Sequence, residues 1–386
     1  MRYIDFLQYC LDEHRELPVS AKSIDWSKLL IWAEQQAIVG VVFGGIQRAG
    51  KSLEIPTDIL FKWIGYANQI EQRNKLLNKR CVELTELLAH RGFDTCILKG
   101  QGNALLYDGR SKKEDGRSLA LLRTPGDIDV WVRPGERLRI RELIRFAREK
   151  NPKGKICYHH VDYGEYKGVE VEIHYRPSFM FNPIHNYRLQ KWFKDHGEGF
   201  MVELPEGVGN ITVPNKEFNI VFQLSHIYNH LLHEGIGLRQ IIDYYFLLKA
   251  NKELEEVRGS YRSAQEVKRQ YYETLRYLGL KQIAGAVMWV LGYLVHGEGF
   301  MVHGLKMDEW MICEPDERRG KVLLAEIMKG GNFGQSDLEN QKATTAIQKN
   351  ILRIKRDLRM MRYFPSECLW EPVFRTWHFF WRMMNG

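Results

Sequence analysis

Arg123-Thr124-Pro125-Gly126-Asp127-Ile128-Asp129-Val130-Trp131-Val132 is the stretch on which the reading of this chain turns. Ile128, Val130, Trp131 and Val132 are β-branched or aromatic, so the run reads as a strand. Thr-Pro-Gly before it is a turn signal, which places the aspartates where a loop enters the strand. Residues two apart on a strand share a face. Asp127 and Asp129 therefore stand side by side, with Ile128 and Val130 packing on the other face. Two adjacent carboxylates need a neutralising partner, and an oxygen-rich acidic pair suits Mg²⁺ or Mn²⁺. A solvated Asp-x-Asp on an edge strand is the plain alternative.

Val169-Glu170-Val171-Glu172-Ile173-His174-Tyr175 alternates strictly between apolar and polar. Val169, Val171 and Ile173 line one face; Glu170, Glu172 and His174 line the other. Beside the aspartate strand, this strand would supply a third carboxylate. Three carboxylates can hold the two metal ions of a phosphoryl transfer. An ordinary half-exposed antiparallel strand has the same pattern. Upstream, Thr95-Cys96-Ile97-Leu98-Lys99-Gly100-Gln101-Gly102, then Asn103 to Tyr107, reads as a short buried strand, a glycine turn and a helix start. Glycine lets a backbone approach a phosphate closely, and Lys99 adds a point charge.

Leu98-Lys99-Gly100, Leu122-Arg123 with Gly126-Asp127-Ile128-Asp129, and Val171-Glu172-Ile173-His174 together resemble an uncharacterised nucleotidyltransferase family within the DNA polymerase β-like superfamily. The resemblance implies an α+β fold with a small polymerase β-like core of mixed sheet and helices. It implies transfer of a nucleotidyl group from an NTP with two metal ions, Mg²⁺ or Mn²⁺. Asp127, Asp129 and Glu172 would be the catalytic metal ligands. Lys99, Gly100, Arg123, Gly126, His174 and Arg239 would face the nucleotide. Lys99-Gly100 stands where the superfamily more often has Gly-Ser. The charged run Gly109 to Arg117 reads as a mobile loop inserted between the glycine turn and Asp127.

The rest of the chain frames this middle third. Its 386 residues, 44% hydrophobic and 27% charged, fit a globular protein of two or three domains. We expect an N-terminal helical region over 1–90, an α/β core over 91–205 and a C-terminal helical domain over 206–386. The formal charge of +8 suits an anionic partner without choosing among nucleotide, nucleic acid and acidic surface. Six scattered cysteines with no Cys-x-x-Cys argue against a zinc cluster and a disulfide framework, and point to a reducing cytoplasm. The longest apolar run, Ile283 to Val295, is too short to span a membrane and reads as a buried helix, so no membrane partner is expected.

Gly45 to Ser52 matches the Walker A pattern letter for letter. That chemistry needs a helix to begin at Lys51-Ser52, and Pro56 four residues on disfavours one. Gly50 reads instead as a helix C-cap. His226, His230 and His233 share a helix face, read as a polar face toward the cleft rather than a zinc site. Arg239 and Asp243 form an i, i+4 pair that could be a surface ion pair or, for Arg239, a phosphate contact. His159-His160 could meet phosphate or base, though a buried, hydrogen-bonded pair is the commoner case. His-Gly-Glu-Gly-Phe-Met-Val occurs at 196–202 and again at 296–302 in unmatched surroundings, so it is not a repeat architecture.

The Thr344 to Arg362 helix is the most basic element, and Trp370, Phe374, Trp377 and Trp381 behind it form a stripe expected to face the core. Basic residues near aromatics can also bind single-stranded nucleic acid. The expected activity is metal-dependent transfer of NMP from an NTP to an unidentified acceptor: small molecule, protein or RNA. The alternative is a catalytically inactive protein of the same fold that binds nucleotide or nucleic acid.

Overall fold

A computed structural model of the chain describes residues 2–385 apart from 109–117, 134–139, 258–263, 298–307, 336, 338–340 and 343–344. The chain opens with helices α1 (Arg2–Leu11), α2 (Trp26–Gln35), α3 (Val39–Ala49) and α4 (Thr57–His90). Asp25 caps α2 by accepting from the Lys28 amide. Gly50 closes α3 with φ 53°, and α4 starts only behind Pro56. The Walker A lookalike thus straddles a helix end, as Pro56 suggests, and no α-helix begins at Lys51-Ser52. α4 has 34 residues, a length of about 50 Å. Its first half packs Trp63 and Ala67 into a helical core. Its second half lays Leu77, Cys81, Leu84 and Leu88 under a sheet.

That sheet contains β1 (Thr95–Ile97), β2 (Ile128–Val132), β3 (His160–Tyr166) and β4 (Val169–His174) in the order β1-β2-β4-β3. β2 and β4 are parallel, and both outer pairings are antiparallel. A short helix α5 (Gln101–Ala104) and a 3₁₀ turn (Leu119–Leu122) lie between β1 and β2, and helix α6 (Ile140–Lys150) follows β2. The loop expected over 109–117 lies outside the described residues. The alternation seen in the sequence divides the sheet as expected. Ile128, Val130, Val171 and Ile173 pack with α4 and with Leu143, Ile144 and Ala147 of α6. Asp129, Trp131, Glu172 and His174 take the opposite face.

Next come α7 (Pro183–Asp195), the hairpin β5 (Gly199–Glu203) and β6 (Asn210–Pro214), then α8 (Lys216–His233) and α9 (Leu238–Val257). The hairpin replaces the helical reading that followed Pro205. The Asn182 side chain accepts from two amides at the start of α7, with Pro183 in the first turn, a start signal present in the sequence. Helices α10 (Ala264–Tyr277), α11 (Lys281–His296), α12 (Glu317–Gly330), α13 (Ala346–Met361) and α14 (Pro365–Asn385) complete the described chain. α11 is the apolar run, and it is buried within the protein. No helix is long and apolar enough to cross a membrane among the described residues. The second copy of the repeated heptapeptide, from residue 298 on, is outside the described residues.

One apolar cluster contains Phe6, Trp63, Trp131, Phe218, Trp289 and Phe364. The helices before and after the sheet therefore share a core, and the sheet's second face looks into it. α8 crosses that face, with the Phe218 ring stacked on Trp131 at 5.1 Å between centroids. The fold is mixed α+β, with a small mixed sheet among many helices.

α13 turns a charged residue inward: Asp357 is buried on α13, with Glu371 of α14 buried as well. Burial, then the Glu371 carboxylate, raise the Asp357 pKa from 3.8 to about 7, against Arg375 and Arg356 nearby. Folding raises this pKa, so folded Asp357 keeps a proton that the unfolded chain has released. Its stabilising contribution is full below the unfolded value and is lost as pH rises through about 7. Asp357→Asn is therefore expected to raise Tm above neutral pH and to leave it nearly unchanged below about pH 4. Melting curves of both proteins across that range check it. An equal shift at every pH would contradict it.

Candidate functional site

The parallel pairing of β2 with β4 puts Asp129 opposite Glu172 and Trp131 opposite His174. Three polar side chains thereby meet on one face without any loop to adjust them. The Asp129 carboxylate is only 1% exposed. The Nε2 of His174 lies 3.0 Å from its Oδ1 and 3.3 Å from Glu172 Oε2. The Lys99 ammonium lies 3.2 Å from Asp129 Oδ2. That oxygen is buried and in no aligned hydrogen bond.

The glycine turn brings Lys99 there. β1 ends at Ile97, and the Leu98 amide donates to the Asp129 carbonyl at 3.0 Å, locking the turn to β2. Gly100 has φ 61°, a conformation that other residues adopt at a cost, and leads into α5. On its other side Lys99 Nζ meets His226 Nε2 at 3.2 Å. His226 contacts His230 through their Nε2 atoms at 2.8 Å, and His233 lies against the Phe181 ring. α8 therefore turns a polar face to the cleft, and these three histidines form no metal-holding group among the described residues.

The charges are arranged to persist. Burial opposes a charge on Lys99, but Asp129, Asp127 and Glu172 outweigh it and raise the ammonium pKa. Burial likewise works against the carboxylate of Asp129, and Lys99 and His174 hold its pKa below the ordinary value. Glu172 is lowered too, against burial, by its hydrogen bond to His174 and by His160. His174 is raised, despite burial, by Asp129 and Glu172. His226 is driven well down by burial and then by Lys99, so it meets the ammonium as a neutral ring.

A cleft opens beside this cluster, lined by Lys99, Gly100, Arg123, Gly126, Asp127, Asp129 and His226, with Arg239 and Asp243 from α9. Arg123 grips Asp243 with Nε and Nη2, both at 2.7 Å, and Tyr107 donates to the same carboxylate at 2.6 Å. Asp243 is therefore the buried partner of Arg123, not a surface partner of Arg239. The Arg239 guanidinium donates to the Thr124 and Pro125 carbonyls at 3.3 and 3.2 Å, beside Gly126. Asn74 of α4 holds the Leu121 and Arg123 carbonyls at 2.7 and 2.8 Å. Gly40 of α3 backs the same turn so closely that a Cβ there would fall 1.8 Å from the Leu122 carbonyl oxygen.

Of the sequence-expected residues, Lys99, Gly100, Arg123, Gly126, Asp127, Asp129 and Arg239 line the cleft, and Glu172 and His174 join it through Asp129, with two distinctions. Oxygen and nitrogen atoms of Asp129, Glu172 and His174 lie within 4.8 Å of one another, as do those of His160, Asp162 and Glu172; Asp127 is in neither group. Asp127 is near enough to act on Lys99 and Glu172 through its charge. Glu170 points to solvent. His160 of β3 sits 3.3 Å from Glu172 and 3.5 Å from Asp162, so it borders the carboxylate cluster.

Comparison with known families gives the class: nucleotidyltransferase. Residues 22–278 match a family described as uncharacterised nucleotidyltransferase; the chain belongs to that family. A search of curated proteins and a search of solved structures gave no match.

Asp243 is expected to be structural. Asp243→Ala leaves the Arg123 guanidinium buried without its carboxylate, at a cost of about 3–5 kcal/mol. Chemical denaturation reads this directly, and a loss below about 1 kcal/mol would show the pair to be dispensable.

Proposed function

We propose that the chain transfers NMP from an NTP to an acceptor, releasing pyrophosphate, at the cleft over β2 and β4. The observation that carries this reading is the convergence of buried Asp129 with Glu172 and His174, with Asp129 lining a cleft that also holds Lys99, Arg123 and Arg239. The order of parts supports a polymerase β-like core: a glycine turn, an Asp-x-Asp strand, and a third carboxylate on the neighbouring parallel strand.

The donor set fits a divalent cation. Asp129 keeps a buried oxygen whose neighbour is the Lys99 ammonium at 3.2 Å, a cation that a bound metal ion could replace. Its other oxygen and Glu172 Oε2 are drawn together by His174 Nε2, at 3.0 and 3.3 Å, so two oxygen donors of the kind Mg²⁺ or Mn²⁺ takes converge on one point. Asp129 and Glu172 would hold the ion, with Asp127 completing the carboxylate set from the loop edge. Bound Mg²⁺ or Mn²⁺ would offset charge developing on the phosphate oxygens.

The chain's own residues do the rest. Lys99 lies beside Gly100 and Gly126, where backbone can approach closely, and would pass from Asp129 to the triphosphate. Arg239 adds positive charge beside Gly126. Arg123, its fork held by Asp243, adds potential rather than a second fork on phosphate. The acceptor hydroxyl oxygen bonds to the α-phosphorus as the bond from that phosphorus to the bridging oxygen breaks. Pyrophosphate leaves with the electron pair, and the hydroxyl proton passes to Glu172, whose lowered pKa keeps it a carboxylate at neutral pH.

One observation favours a second reading. Lys99 and His174 already neutralise Asp129, as they would in a protein that binds nucleotide without turning it over. Incubation with each α-³²P-labelled NTP, Mg²⁺ or Mn²⁺ and cell extract separates the two. Transfer is expected from the native chain and reduced at least ~10²-fold in Asp129→Asn. NTP binding in a thermal-shift assay without label transfer would support the second reading. Neither transfer nor binding would overturn both.

A further inference from the structure

We propose that α13 and α14 form a docking face for an anionic lipid bilayer. α13 is turned inside out. Arg353, Arg356, Asp357 and Met360 face the protein, whereas Ile347, Ile351, Ile354 and Leu358, spaced 4-3-4, face outward. Ile347 is 72% exposed and Leu358 64%. On α14 Phe379, Phe380, Met383 and Met384 are exposed as well, the last 77%. Nothing among the described residues covers these side chains, and an apolar patch of this extent on a folded chain marks a contact surface.

The inward faces are fixed, so the helices are not waiting to roll over. Glu367 accepts from the Phe181 and Asn182 amides at 2.6 and 3.1 Å and meets His185 Nδ1 at 3.0 Å. The Phe374 ring stacks on Phe179 at 5.0 Å. Met360 and Phe364 are fully buried.

Charge selects the occupant. The acids of the two helices, Asp357, Glu367 and Glu371, are all buried. The exposed charges are all positive: Lys349, Lys355, Arg359 and Arg382. Arg359 meets Glu326 of α12 at 2.8 Å, which still leaves the outer face basic. A second copy of this chain would set like charges against each other. An anionic bilayer accepts both features at once, taking the aliphatic and aromatic side chains at its interface and the lysines and arginines at its headgroups. Among the described residues no helix is long and apolar enough to cross a membrane; the proposed contact is peripheral.

Co-sedimentation of the full chain with phosphatidylcholine vesicles, with and without phosphatidylserine, tests the proposal. Binding to the anionic vesicles is expected to be at least ~10-fold stronger and to fall with added salt. The double variant Ile351→Glu/Leu358→Glu changes only exposed positions; it is expected to bring binding down to the level on neutral vesicles with an unchanged melting temperature. No preference for anionic vesicles, or preference undiminished in that variant, overturns the proposal. So does a concentration-dependent dimer in sedimentation velocity that the same variant abolishes, which would give the face to a second copy.

Discussion

Everything in the cleft depends on keeping one carboxylate charged inside the protein. Asp129 is buried, and a lone buried carboxylate would take up a proton. Lys99 and His174 prevent this from two directions, and each is delivered by a different piece of backbone. The parallel register of β2 and β4 delivers His174 together with Glu172. The turn at Gly100, pinned by the Leu98 amide to the Asp129 carbonyl, delivers Lys99. The sheet's apolar underside, the close approach of α3 at Gly40 and the Asn74 clamp from α4 all hold these two deliveries in place. The buried Arg123–Asp243 pair joins the strand's entry loop to α9, so both walls of the cleft are tied to the same strand end.

Much of this was legible in the sequence because it is local. Alternation along 128–132 and 169–174 is enough to assign side chains to faces, and the glycine turn after Lys99 carries its own conformational signature. Pro56 excluded the Walker A lookalike, since a proline's effect reaches only a few residues. Of the three histidines whose helical spacing put them on one face of α8, His226 lines the cleft, and His233 lies against Phe181 instead.

What stayed hidden is what the chain brings together from afar. Asp243 was read with Arg239, its neighbour one turn away, whereas its two oxygens belong to Arg123, 120 residues earlier. Tyr107, Asn74 and the His160–Glu172 contact are likewise products of the tertiary fold. The β5–β6 hairpin was missed because Gly199 to Glu203 has little alternation and β6 falls within the stretch expected to be helical from residue 206 on. The basic character of α13 was plain, but which of its faces is buried was not. Helical spacing shows two faces, and ordinarily the apolar one goes inside. In α13 the packing of Asp357 and Met360 decides otherwise.

The hold of Glu367 on the loop that enters α7 has a consequence for the order in which the molecule can be built. The two amides that Glu367 satisfies, of Phe181 and Asn182, lie 186 and 185 residues before it in the chain. Asn182 can cap the first turn of α7 as soon as that helix is made, but the Phe181 and Asn182 amides stay open to water while the intervening helices are translated. Only when Glu367 leaves the ribosome can they be paired. A contact that looks like a small finishing detail in the folded molecule is therefore also one of the last that synthesis permits.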